Sequence, residues 1–191
     1  MKSTHPKFRL AVALLGAVLA LSVQAASTVT DPKQPRSLPE EGPVSVSWTD
    51  PAQFSEIRNS GNRWEAERGD WVRQLAQYAR TSAAKQLAPG EKLEITITDI
   101  QRAGRYEPWR GPNMQHVRMV RDIYPPRLSL NYTLYDANGQ VIAQNERKLS
   151  DTAFLMGGAP LNDSDSLRYE KRMIDDWTRR DLRAQRVANG H

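Results

Sequence analysis

Hydrophobic and polar residues alternate in three places along this chain, and each alternation predicts a half-buried strand. Val44-Ser-Val-Ser-Trp48 is the first, ended by Asp50-Pro51. Lys92 to Ile100 is the second, with Leu93, Ile95 and Ile97 on one face and Glu94, Thr96 and Thr98 on the other. Arg127 to Tyr135 is the third, with Leu128, Leu130, Tyr132 and Leu134 facing one way. After it, Asp136-Ala-Asn-Gly139 carries the Asn-Gly signal of a hairpin turn, so Val141 to Leu149 is expected to return as the partner strand.

Elsewhere the apolar residues recur at helical spacing. Trp64, Trp71, Val72, Leu75, Ala76, Ala79, Ala83 and Leu87 predict one helix over about Asn62 to Ala88, stopped by Pro89-Gly90. Gly69 costs a helix interior about 1 kcal/mol against Ala, so the regular helix could instead start after it with Asp70 as N-cap. A second helix is predicted from about Ser166 to Arg183, with Asp165 as N-cap and Leu167, Met173, Ile174, Trp177 and Leu182 inward. Charged residues on this helix stand at ion-pairing intervals, Asp175 with Arg179, Asp176 with Arg180 and Arg172 with Asp176. Ala103 to Pro126 reads as irregular, with a short extended piece in Val117 to Tyr124, and Asp151 to Ser164 reads as loop.

The order β-α-β-β-β-α predicts a single α+β domain over residues 44–185. Its antiparallel sheet of about four strands would carry two main helices on one face. Residues 186–191 are expected to fray. Before the domain, residues 26–43 contain Pro32, Pro35, Pro39 and Pro43 without apolar periodicity, which predicts a disordered leader.

The first residues change the picture of where the protein works. Lys2, Lys7 and Arg9 precede an apolar run from Leu10 to Val23, and Val23-Gln-Ala25 supplies small residues at the exit. These are the three parts of a cleavable secretory signal spanning residues 1–25. The apolar run has 14 residues, short of the roughly 20 a spanning helix needs. Cleavage after Ala25 would leave 166 of 191 residues, without a transmembrane anchor. The absence of Cys excludes both a lipid-modified Cys at the cleavage point and disulfide staples, and favours a bacterial periplasm. Losing Lys2, Lys7 and Arg9 takes the 27 basic residues to 24 against 22 acids, so a net charge of +5 becomes +2. That balance argues against nucleic acid as a partner.

Candidate chemistry is sparse. Of three His, His5 lies in the signal and His191 is the last residue, which leaves His116 alone. One His supplies neither the usual zinc set nor, without a placed nucleophile, a hydrolytic triad. No phosphate-binding glycine loop or His-Glu-x-x-His helix is present. No cofactor and no metal is therefore expected. The most distinctive stretch is Glu107-Pro-Trp-Arg-Gly-Pro112 followed by Arg118 and Arg121-Asp-Ile-Tyr-Pro-Pro-Arg127. Arginines here can stack on aromatic rings or grip a carboxylate or phosphate with two bonds. Two readings stand: a recognition loop for an anionic ligand or partner, and a crossover loop pinned to its own domain by Trp109, Tyr124 and Arg–Asp pairs.

The same blocks, with Val44-Ser-Val-Ser-Trp-Thr-Asp-Pro51, Leu149-Ser-Asp151, Leu167-Arg-Tyr-Glu-Lys171 and Asp175-Asp-Trp177, resemble a bacterial exported family known as domain of unknown function 3016. The resemblance spans about Val44 to Leu182. It differs at Ser166, where that family's pattern has Pro, and it implies an exported single domain without supplying an activity. From residue types alone, the loop block, the Asp151 region and the start of the second helix are expected to meet at one end of the sheet. Glu107, Trp109, Arg110, Arg121, Asp122, Tyr124, Asp151, Arg168, Tyr169 and Glu170 are then the candidate ligand- or partner-binding residues, and none is assigned as catalytic. The leading reading is a non-enzymatic periplasmic domain that binds a protein partner or an envelope component. The alternatives are a hydrolase using two carboxylates on a cell-wall polymer and a small-molecule binder.

Overall fold

The computed structural model describes residues 27–156, 164–182 and 184. The proposed signal peptide, residues 157–163 of the expected loop and the whole of the expected frayed tail lie outside them. The α+β class and the single domain hold. Strand β1 (Val44–Trp48), β2 (Lys92–Gln101), β5 (Arg127–Tyr135) and β6 (Val141–Ser150) form one sheet in the order β1-β2-β5-β6. The alternation read from the sequence is the burial pattern. Val44, Val46, Trp48, Leu93, Ile95, Ile97, Leu128, Leu130, Tyr132 and Leu134 are all buried on one face. The Asp136–Gly139 turn joins β5 to β6, with the Asp136 carboxylate accepting the N–H groups of Asn138 and Gln140, both at 2.8 Å. Gly139 takes the left-handed φ of 81° that the turn needs.

The sheet was expected to be wholly antiparallel, but it is mixed. β1 runs parallel to β2, with Val44 opposite Leu93 and Trp48 opposite Ile97. A parallel pair cannot be closed by a tight turn and needs a crossover, which the helices between the two strands supply. They are α1 (Ser55–Arg58), α2 (Arg63–Glu67) and α3 (Trp71–Ala84). The single helix expected over Asn62 to Ala88 is two helices, broken where Gly69 adopts φ 86°. Asn62 caps α2 by accepting the Glu65 N–H. Asp70 sits at the N-cap position of α3 but bonds the Gln74 side chain instead of the backbone. Because the break re-aims α2, Trp64 leaves the stripe and stands 63% exposed.

The last helix, α4 (Arg168–Trp177), continues into a π-helical turn, Thr178–Leu182. It packs with α3 and the inward face of the sheet in one core, where Trp177 meets the Tyr132 ring edge-on at 5.7 Å. Asp165 accepts the Leu167 N–H at 2.9 Å just ahead of the helix. The ion pairs expected along α4 are partly redirected. Asp175 turns inward and accepts Tyr78 Oη at 2.7 Å and Ser82 Oγ at 2.6 Å from α3. Burial, with Asp175 beside it, pushes the Tyr78 hydroxyl up to about 12. Asp176 pairs with Arg179 rather than Arg180, and Arg172 reaches Asp151 rather than Asp176. Among the described residues no helix is long and apolar enough to cross a membrane.

The stretch expected to be a disordered leader is, from Ser27 on, laid against the domain. Ser27 and Val29 bond the backbone at Gly69 and Glu67. Further along, Leu38 N–H reaches Val46 O and Trp48 N–H reaches Arg36 O, both at 2.9 Å, so the leader covers the outer edge of β1. Proline does not prevent this, because edge pairing needs only alternate N–H groups and Pro35 and Pro39 flank those used. Deleting residues 27–38 should therefore lower the urea midpoint of the domain, since it strips the outer edge of β1. An unchanged midpoint would show the segment to be a passive spacer.

Candidate functional site

Between β2 and β5 the chain makes an excursion, residues 102–126, across one end of the sheet. Its base is a two-stranded ladder, β3 (Arg105–Tyr106) against β4 (Arg118–Met119). Two glycines make the close approaches possible. Gly104 lies at φ 82°, and a Cβ there would sit 2.8 Å from Met119 O. A Cβ on Gly61 would sit 2.3 Å from Tyr106 O, so only Gly lets the turn after α1 press on the excursion. Asn62 Nδ2 donates to Gln115 O at 2.9 Å and ties α2 to the far part of the loop.

Three buried carboxylates hold this end together. Glu56, from α1, accepts the Arg102 N–H at 3.0 Å, the Arg102 guanidinium at 3.0 Å and the Arg118 guanidinium. Arg118 also donates to Ala103 O and Gly104 O. Arg102 stacks on Trp71 at 4.6 Å and Arg118 on Tyr106 at 4.7 Å, so each cation has an aromatic face as well as a carboxylate. Glu107, 1% exposed, accepts Arg110 Nε, Arg121 Nη1 at 3.1 Å and Tyr124 Oη at 2.8 Å. Glu170, from α4 and also 1% exposed, accepts the Ala103 N–H at 2.6 Å through Oε1, while Oε2 has no partner among the described residues. Around it Ala103, Phe154 and Tyr169 form a small apolar cluster, the two rings meeting edge-on at 4.9 Å.

The excursion touches the Asp151 region and the start of α4. Glu107, Arg110, Arg121 and Tyr124 form one cluster, and Ala103 bridges the excursion to Tyr169 and Glu170. Asp151 joins from the side. Its N–H points to Pro126 O, its Oδ2 accepts Arg172 at 2.9 Å, and Arg172 also donates to Phe154 O. Arg168 lies over Tyr169 at 4.3 Å and donates to its hydroxyl. Two of the ten candidates stay outside this network. Trp109, on a 3₁₀ turn (Pro108–Arg110), is 65% exposed, and Asp122 is exposed and caps only its own neighbour Ile123. His116 bonds Glu65 at 3.1 Å and meets Trp64 edge-on. Among the described residues no three His, Asp or Glu gather closely enough to hold a metal ion.

The sequence reading missed Glu56 and Arg102, the centre of the arrangement. A signal existed in Asp50-Pro51 followed by Phe54 and Ile57, a capped turn with two apolar residues one helical turn apart. The Asp50 carboxylate does accept Ala52 N–H at 3.1 Å, and Phe54 and Ile57 are buried.

The model of the family described as protein of unknown function (DUF3016) matches residues 42–180, from just before β1 to the π-helical turn. The chain belongs to this family. No curated protein and no solved structure matches it. Of the blocks on which the sequence resemblance rests, those at Asp151 and Glu170 reach the excursion of this DUF3016 domain, whereas Val44–Trp48 is the edge strand and Asp175 faces α3.

Two predictions follow from the carboxylates. Glu56→Ala leaves two partly buried guanidiniums without their anion and should cost about 3 kcal/mol in urea unfolding. The other concerns pH. Burial raises the Glu170 carboxyl above its ordinary 4.5, against the Ala103 N–H that favours the anion. Its contribution to stability is complete below that ordinary value and is lost as pH rises through the raised one. At Glu107 burial acts upward too, but the hydrogen bonds from Tyr124, Arg110 and Arg121 outweigh it and hold the carboxyl below 4.5. That contribution is present above 4.5 and lost as pH falls through the lowered value. Melting curves should accordingly place Glu170→Gln at or above the parent at neutral pH and Glu107→Gln below it. Both gaps should close in acid. Gaps of the same sign would contradict the assignment.

Proposed function

We propose that this DUF3016 protein is exported to the periplasm, loses its first 25 residues there, and works as a binding domain for an anionic envelope component or an acidic protein partner. The basic start, short apolar run and small exit residues of the N-terminus support export. The observation that carries the binding reading is the charge arrangement of the excursion. Glu56 and Glu107 each hold two arginines, so each buried carboxylate leaves an excess positive charge. At Glu107 the two guanidinium side chains remain 43% and 44% exposed, next to the exposed Trp109. Guanidiniums already oriented by a buried carboxylate lose little freedom on gripping a second anion, and an exposed Trp offers a large rigid contact surface.

The acids of the site favour binding over hydrolysis. A two-carboxylate hydrolase needs both groups facing an open cleft. Glu56, Glu107 and Asp151 are engaged by arginines, and Glu170 is buried against the Ala103 backbone.

Expressed from its full-length gene in a Gram-negative host, the protein should be recovered from the periplasm with Ala26 as its first residue. In-cell crosslinking of that protein should yield partners that disappear in Trp109→Ala plus Arg110→Ala and weaken in Trp109→Ala alone, which leaves the Glu107 cluster intact and the melting temperature unchanged. Identical crosslinks in the double variant would remove this face from the account.

A further inference from the structure

An open cleft of about 330 Å³ lies beside the excursion, between it and α1. Trp109, Arg110 and Arg121 do not line it; Tyr124, which bonds Glu107, stands between it and the face discussed above. One wall is Ser55, Asn59 and Ser60, from α1 and the turn after it; the other includes Gln101, Arg105 and Tyr106. The walls are fixed relative to each other. Gly61 holds the turn against Tyr106, and Arg105 Nη2 donates to Asn59 O at 2.9 Å across the gap.

The charge of the lining is biased. Glu56 is answered by both Arg102 and Arg118, and Arg105 adds a third cation. Asp99 does not line the cleft and accepts the Ser55 N–H at 2.6 Å and Ser55 Oγ at 2.7 Å. Among the lining residues one acid, Glu56, against two arginines, Arg105 and Arg118, leaves one positive charge. Neutral polar groups are also to hand. The side-chain amides of Asn59 and Gln101 and the Tyr106 hydroxyl have no hydrogen-bond partner among the described residues, although all three residues line the cleft. Most side-chain polar groups that converge on a concave site and bond nothing in the protein are available to a ligand.

We propose that this cleft binds a small hydroxylated anion, a single sugar unit bearing one carboxylate or phosphate group. Arg105 takes the anionic group with its remaining donors, the geometry in which arginine binds such groups best. Asn59 and Gln101, each with both donor and acceptor atoms, take the hydroxyls. The volume limits the ligand to about one such unit, because it stands at the small end of the range for ligand sites.

The test is titration of the mature protein with glucuronate, glucose 6-phosphate, glucose and inorganic phosphate, followed by calorimetry and by amide chemical shifts. Glucuronate or glucose 6-phosphate should bind with Kd at or below about 1 mM and shift the side-chain amide signals of Asn59 and Gln101. The two acids distinguish a carboxylate from a phosphate site, whereas glucose should bind at least about tenfold more weakly than the better acid. Arg105→Ala, an exposed residue, should weaken that acid about tenfold without lowering the melting temperature. Trp109→Ala should leave its affinity unchanged, which separates this site from the proposed partner face. Failure of both acids to bind, glucose binding as well as they do, inorganic phosphate alone matching them, or indifference to Arg105→Ala would each overturn the proposal.

Discussion

A carboxylate removed from water must keep its charge company, and in this protein that requirement organises one whole end of the fold. Glu56 stands on a single turn of helix, Glu107 on a loop and Glu170 on the last helix. Each reaches into the excursion between β2 and β5 and binds either its backbone or its arginines. Without them the excursion would be a long surface loop with little apolar material to order it. With them it becomes a small layer of structure pinned to α1, α4 and the end of the sheet. Charge-assisted bonds of this kind are roughly twice as strong as neutral ones. At Glu56 and Glu107 they stabilise the site only as complete sets, since removing one member strands the rest, whereas Glu170 contributes through its bond to the Ala103 N–H.

The rest of the domain supplies the rigid base. The inward residues of the four strands, together with α3 and α4, make one continuous core. α3 and α4 are further joined by Asp175, whose two oxygens accept from Tyr78 and Ser82. The chain carries no Cys, so core packing and these polar clasps replace disulfides. The same rigidity suits recognition: guanidiniums held in place before a ligand arrives cost less entropy when it binds.

How much of this was legible in the sequence follows from what kind of interaction sets each element. β5 and β6 were legible because alternation and the Asn-Gly turn are local signals. The parallel sense of β1 was not, because strand direction depends on a crossover path rather than on residues within the strand. Gly69 marks a possible break, yet the periodicity places Trp64 in the core, since it cannot register a change of helix axis. Convergence of the Glu107, Asp151 and Glu170 regions was anticipated from residue types. Glu56 was missed because its partners, Arg102 and Arg118, are 46 and 62 residues away, and no local pattern announces a contact of that range. Asp175 and Arg172 were assigned to neighbours on their own helix, where spacing allowed it, whereas burial gave them partners elsewhere.

Buried carboxylates make the excursion as stable as the core. Native-state hydrogen exchange at the Arg102 and Ala103 amides, which donate to Glu56 and Glu170, tests this most directly. Both should exchange only through global unfolding, with protection equal to that of Ile95 and Leu130 in the sheet. Exchange at the rate of an exposed loop at these two amides, while the sheet stays protected, would show that the excursion is not held and that no preorganised site exists.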